Sequence, residues 1–79
     1  MEQILTKASK AGQLVAARRR ALRLSQRDLA AKLGISQNYL SQIEAGQRKL
    51  STERLLDLAN VLGLELVIRD KQQQPDTDW

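Results

Sequence analysis

The stretch from residue 37 to 45, QNYLSQIEA, holds the side chains best suited to chemistry, and that chemistry is hydrogen bonding. On a helix turning roughly 100° per residue, Leu40, Ile43 and Glu44 cluster on one side. Gln37, Asn38, Ser41, Gln42 and Ala45 cluster on the other. This second face is small or amide-bearing and carries no charge, whereas a solvated face usually carries Lys and Glu. Gln and Asn present a paired donor and acceptor that match N6 and N7 of adenine in the major groove. The competing reading is an ordinary polar helix face. Catalysis has far less to work with. The chain has no His and no Cys, which removes the commonest general base, the commonest metal ligand, thiolate metal sites and any disulfide framework. Its carboxylates form no evident catalytic constellation. We therefore expect no enzyme, no metal and no cofactor.

The elements that must position this face lie between residues 25 and 46. Ser25 is placed to cap a helix, with Asp28 suited to the dipole at its start. Leu29, Ala30 and Leu33 then form one apolar face. Gly34 follows where a left-handed cap is wanted, Ile35 fills the turn, and Ser36 can cap a second helix ending at Gly46. Two short helices joined by a Gly-containing turn of three to four residues are the signature of a helix-turn-helix.

These residues resemble a known family. Ser25-Gln26, the run Leu29-Ala30-x-x-Leu33-Gly34-Ile35-Ser36, and Leu40-Ser41-x-Ile43-Glu44-x-Gly46 resemble the Xre/Cro/C1 type of phage-repressor helix-turn-helix domain, over roughly residues 9 to 64. Within that family the whole chain is most similar to HipB-type antitoxins, a match resting on the strand expected after the last helix and on a polar tail ending in an acidic residue and Trp79. The resemblance implies a DNA-binding repressor. It also implies a protein that holds a HipA-type serine/threonine kinase toxin and represses its own operon. The alternative is a stand-alone repressor of the Xre family with no toxin partner. A helical adaptor that does not bind DNA is disfavoured by the amide-rich face.

The remaining chain is read in the same terms. Residues 1–8 form a short extension, and Ile4 and Leu5 are expected to fray unless a partner copy covers them. Thr6 and Ser9 compete as caps for a first helix over about 9–22. Val15, Arg19 and Leu22 recur there at i, i+4 and i+7, with Leu14 and Arg18 beside them. An Arg within an apolar stripe needs an acidic partner, and Glu44 beside Leu40 and Ile43 is the obvious one; the resemblance implies the same pair. Otherwise both side chains reach out to solvent. Arg18, Arg19, Arg20 and Arg23 gather near the helix C-terminus, where cations are favoured. Further helices are expected over 26–33, 37–45 and 52–62, the last capped by Ser51, striped by Leu55, Leu58, Ala59 and Leu62, and ended by Gly63.

Base edges are assigned to Gln37, Asn38, Ser41 and Gln42. The DNA backbone is assigned to Gln26, Arg27, Tyr39, Gln47, Arg48 and Lys49, although the loop Gln47-Arg48-Lys49 also reads as a solvated turn. Leu64, Leu66 and Ile68 alternate with Glu65, Val67 and Arg69, the period of a half-buried strand over 64–69. A lone strand lacks a partner, so Leu64, Leu66, Val67 and Ile68 are expected to pair with the same strand of a second copy. The expected architecture is all-α: a small helical bundle of the phage-repressor type, residues 9–63, with one C-terminal β-strand pairing across a homodimer.

Charge divides along the chain. Residues 1–69 hold twelve Lys/Arg against six Asp/Glu, a balance of +6, and residues 70–79 hold one Lys against three Asp, a balance of −2. A basic body suits a polyanion such as a palindromic double-stranded operator. The tail, 70–79, is expected to be disordered, with Trp79 either a plain terminus or an anchor for a protein partner. Neither a membrane span nor a signal peptide is visible, so a soluble, cytoplasmic protein is expected.

Overall fold

The computed structural model describes residues 7–68 and residue 70. Four helices follow one another: α1 (Ala8–Ala21), α2 (Gln26–Leu33), α3 (Gln37–Glu44) and α4 (Thr52–Leu62). Both α1 and α2 pack against α3 and α4. Val15, Leu29, Ala30, Leu40, Ile43, Leu58 and Leu62 form the core, with Leu33, Ile35, Tyr39, Leu50, Val61 and Leu64 packed around it.

Local chemistry sets most of the boundaries. Ser25 Oγ accepts from the Asp28 amide at 2.9 Å while the Asp28 carboxylate accepts from the Ser25 amide at 3.2 Å, a reciprocal box that starts α2. Ser36 and Ser51 accept from the amides of Tyr39 and Arg54 and start α3 and α4. Gly34 takes φ 69° between α2 and α3, a left-handed conformation that a Cβ makes costly. The chain can therefore reverse into α3 within three residues. At the end of α1 the same kind of closure uses Arg23, at φ 60°, with the Leu24 amide donating to the Arg19 carbonyl at 3.0 Å. A side chain in that region costs about 1–2 kcal/mol, so Arg23 is a strained turn residue as well as a member of the basic cluster.

Two expectations are corrected, and a third has no counterpart in a single copy. Thr6 lies outside the described residues and Ser9 lies within α1, which begins after Lys7 with no side-chain cap. Leu22, expected on the apolar stripe, is 40% exposed, because α1 ends at Ala21 and Leu22 belongs to the turn. The buried face of α1 is instead Ala11, Gly12, Val15, Ala16 and Arg19. Those small residues permit close approach: a methyl on Gly12 would collide with the Ile43 carbonyl oxygen and lie 3.0 Å from that of Glu44. Finally, residues 64–68 carry neither helix nor strand in a single copy of the chain, and Arg69 lies outside the described residues. The Leu64 amide donates to the Ala59 carbonyl at 2.8 Å and Leu64 packs on the core. Beyond it exposure climbs from 42% at Leu66 to 94% at Ile68. A strand needs neighbouring backbone to pair with, and the described residues of one copy form no strand there. Apart from Lys7, Ala8 and Asp70, the N-terminal extension and the tail with Trp79 lie outside the described residues.

Arg19 and Glu44 lock α1 to α3. Arg19 Nε donates to Glu44 Oε2 at 2.8 Å and Nη2 donates to Oε1 at 3.0 Å, with the two side chains 10% and 6% exposed. Arg19 Nη1 also donates to the Leu24 carbonyl at 2.9 Å, and Gln26 Nε2 donates to Glu44 Oε1 at 3.0 Å. One fork thus joins α1, the α1–α2 turn, α2 and α3. Burial alone would push the Glu44 carboxyl up; hydrogen bonds from Arg19 and Gln26, with the charges of Arg19 and Arg20, outweigh it and hold the carboxyl below the usual range. The hydrogen bond to Glu44 in turn raises Arg19.

Because the folded carboxyl is lowered, its contribution to stability is complete above the unfolded glutamate value of about 4.3 and is lost as pH falls through the folded value. Urea unfolding of the native chain should hold its midpoint down to about that pH and lose it below. Glu44→Gln leaves a buried, uncompensated guanidinium. It should cost about 3–5 kcal/mol at neutral pH and flatten the acid limb. An unchanged acid limb in the variant would show that other carboxyls govern it.

Candidate nucleic-acid interface

The helix that carries the amides is held from behind. Leu40 and Ile43 are buried and Glu44 is paired, so α3 turns Gln37, Asn38 and Ser41 outward, where all three are exposed. Gln42 is half-buried. Glu44 is the one carboxylate on α3, and with it drawn inward the outer face presents no negative charge to a polyanion.

The loop after α3 folds back onto the helix. Arg48 Nε donates to Gln42 Oε1 at 2.7 Å, and the Arg48 guanidinium lies 5.1 Å from the centre of the Tyr39 ring. Arg54, from the first turn of α4, lies 5.7 Å from the same ring. Its Nη1 stands 4.0 Å from Asp57 Oδ2, at the limit of an ion pair. Tyr39 is half-buried against the core and so serves as a fixed platform. Two guanidiniums beside one aromatic ring form a place where a phosphate is welcome, since cation–π attraction positions each cation without neutralising it.

The residues singled out from sequence are thus distributed unevenly. Gln37, Asn38, Ser41, Gln42, Tyr39 and Arg48 come together, and Gln47 and Lys49 are exposed on the adjoining loop. Arg27 is exposed on α2. Gln26, expected at a phosphate, turns its amide inward to Glu44 and acts as part of the buried fork. Sequence reasoning missed Arg54, whose approach to Tyr39 depends on where packing against α1 and α2 places α4 relative to α3. It also missed Arg18, whose Nε donates to the Leu62 carbonyl at 2.9 Å and closes the C-terminus of α4. Gly12 had a legible signal, a glycine within a helical pattern, which often marks close packing. Among the described residues no group of His, Cys, Asp or Glu is able to hold a metal ion, and no helix is long and apolar enough to cross a membrane.

Comparison with known proteins agrees with this geometry. The helix-turn-helix family profile (HTH_3) matches residues 15–68. An uncharacterized HTH-type transcriptional regulator, y4dL of Sinorhizobium fredii, is 40% identical over 63 residues, which is 80% of this chain and 32% of that protein. The chain spans less than two thirds of each curated relative it matches. The restriction-modification controller protein C.AhdI of Aeromonas hydrophila superposes with a TM-score of 0.69 at 38% identity, over 73% of this chain and 84% of that one. A HipA–HipB–O2–O3 complex contains a chain that superposes with a TM-score of 0.76, over 90% of this chain and 100% of that one. At 20% identity that likeness shows the fold alone.

The Tyr39 platform is testable without DNA. Tyr39→Leu keeps the apolar body and removes the π face, so it should cost about 0.5–1 kcal/mol for each guanidinium that the ring attracts. A double-mutant cycle with Arg48→Met, read by urea unfolding, should show coupling of that sign. Strict additivity would mean the ring does not hold Arg48.

Proposed function

Because the chain belongs to the helix-turn-helix family of DNA-binding transcriptional regulators, we propose that it is a sequence-specific repressor that acts as a homodimer in the cytoplasm. In this reading α3 enters the major groove, with Gln37, Asn38, Ser41 and Gln42 meeting base edges. Arg27, Tyr39, Gln47, Arg48 and Lys49 engage the phosphates, and Arg54 joins them. The observation that carries the reading is the uncharged amide face of α3 flanked by the Arg48–Tyr39–Arg54 cluster. The exposed Leu66, Val67 and Ile68 supply the apolar surface for pairing with a second copy. A two-fold dimer reads a palindrome with half-sites about one or two helical turns apart.

Within that role the chain is the antitoxin of a toxin–antitoxin pair, binding a HipA-type kinase and repressing its own operon. Likeness in fold to one chain of a HipA–HipB–O2–O3 complex, over 90% of this chain, supports this. A stand-alone regulator is the second reading, favoured by the higher identity, 38%, to the controller protein C.AhdI. Co-purification with the product of the adjoining gene separates them: a bound kinase supports the antitoxin, and its absence the stand-alone repressor.

Gln37→Ala or Asn38→Ala should weaken binding to the cognate operator by about 1–3 kcal/mol, with a much smaller loss on random DNA in a fluorescence titration. Equal losses on both would show that these residues do not read sequence. Neutralising Arg48 or Arg54 should lower the salt slope by about one unit each.

The dimer is checked by sedimentation. Ile68→Pro removes an amide that a strand ladder would use, so it should shift the chain toward monomer at micromolar concentration. An unchanged dimer would place the interface elsewhere.

A further inference from the structure

The Arg48–Gln42 hydrogen bond bears on which base is read. Pairing of a Gln amide with adenine uses both its ends: the oxygen accepts from N6 and the nitrogen donates to N7. In this chain the Gln42 oxygen is already turned to Arg48 Nε at 2.7 Å. The assignment of O and N in that amide is chemically unambiguous, because arginine has no acceptor and only the carbonyl end can face it. The bond is charge-assisted and hence stronger than a neutral one. Arg48 is steadied in turn by the Tyr39 ring, 5.1 Å from its guanidinium, and Tyr39 is anchored in the core packing. Gln42 therefore holds its oxygen toward the loop, and its NH2 group is the end left to meet a base.

Resting on the reading of α3 as the DNA-reading helix, we infer that Arg48 sets the base specificity of Gln42, converting it from an adenine reader into a donor that selects guanine. Guanine offers acceptors at both N7 and O6 in the major groove and no donor there. Two donors from one NH2 group suit that edge and gain nothing from the adenine N6 donor. Arg48 does not touch the base in this scheme. It is a positioning residue, and its terminal nitrogens remain directed to phosphate. Among the described residues no guanidinium holds the amide of Gln37 or Asn38 in this way, so the change applies to one base position per half-site.

Selection of binding sites from a random double-stranded DNA pool by the full chain tests this. Gln42→Ala identifies the base position concerned, as the one whose preference relaxes. The native chain should prefer guanine there, and Arg48→Met, which keeps the stem and loses the donor, should move the preference to adenine by about five- to a hundredfold, the worth of one good amide–base pair. Preferences at the other positions should stay as they were, and a cooperative thermal transition only a few degrees below that of the native chain, as loss of the Tyr39 contact predicts, would show that the variant is folded. Gln42→Glu, which has an acceptor but no donor, should lose the guanine preference while Arg48 is intact. Adenine preferred by the native chain, or a guanine preference that survives Arg48→Met, overturns the inference. A pool that never enriches overturns the DNA-reading assignment itself, a different result that is distinguishable because no position then shows any preference.

Discussion

The bidentate contact between Arg19 and Glu44 is the constraint on which the remaining geometry depends. A charged pair this well buried stabilises a fold only when its geometry is good and its other hydrogen-bonding groups are satisfied. Here the third nitrogen of Arg19 reaches the Leu24 carbonyl and Gln26 donates to Glu44, and among the described residues no buried side-chain polar atom lacks a partner. The network is directional where apolar contact is not. Leu40 and Ile43 could be buried with α3 rotated or slid by part of a turn, but the planar guanidinium meets the carboxylate in one register. Gly12 brings the two backbones close enough for that register to be reached.

Fixing α3 on its inner face determines what its outer face can present. The left-handed Gly34 and the Ser36 cap set where α2 ends and α3 begins, so the helix emerges at a defined phase. With Glu44 drawn inward and paired, the exposed residues are uncharged amides and a hydroxyl, and the positive charge lies to the side, on Arg27, Arg48, Lys49 and Arg54. That division suits a surface whose sequence reading comes from hydrogen bonds and whose attraction comes from flanking cations. The Tyr39 ring joins the two halves: it is packed with the core yet lies beside both guanidiniums.

The C-terminal segment obeys a different logic. Leu64 completes the core by closing α4, and among the described residues the next apolar side chains, Leu66, Val67 and Ile68, are exposed. A domain of this size buries a limited core. An exposed apolar segment following directly from it offers a second copy both side-chain and backbone partners.

Much of this was legible in the sequence because it is written in local chemistry. Ser25, Ser36 and Ser51 start helices through contacts with residues three positions away, and Gly34 and Gly63 end them through their own backbone freedom, so element order and the helix-turn-helix needed no long-range information. The helical period likewise separated Leu40, Ile43 and Glu44 from the amides, and an arginine among apolar residues asked for an acid. Tertiary structure decided what depends on distances between elements. Leu22 left the core because α1 ended one residue before it, and small residues took the buried face because α1 and α3 approach closely. Gln26 turned from solvent to Glu44, Arg54 of α4 reached Tyr39 of α3, and the Gln42 oxygen was taken up by Arg48. A side chain's type and phase follow from sequence, whereas the partner that occupies its donors and acceptors is set by packing between helices far apart in the chain.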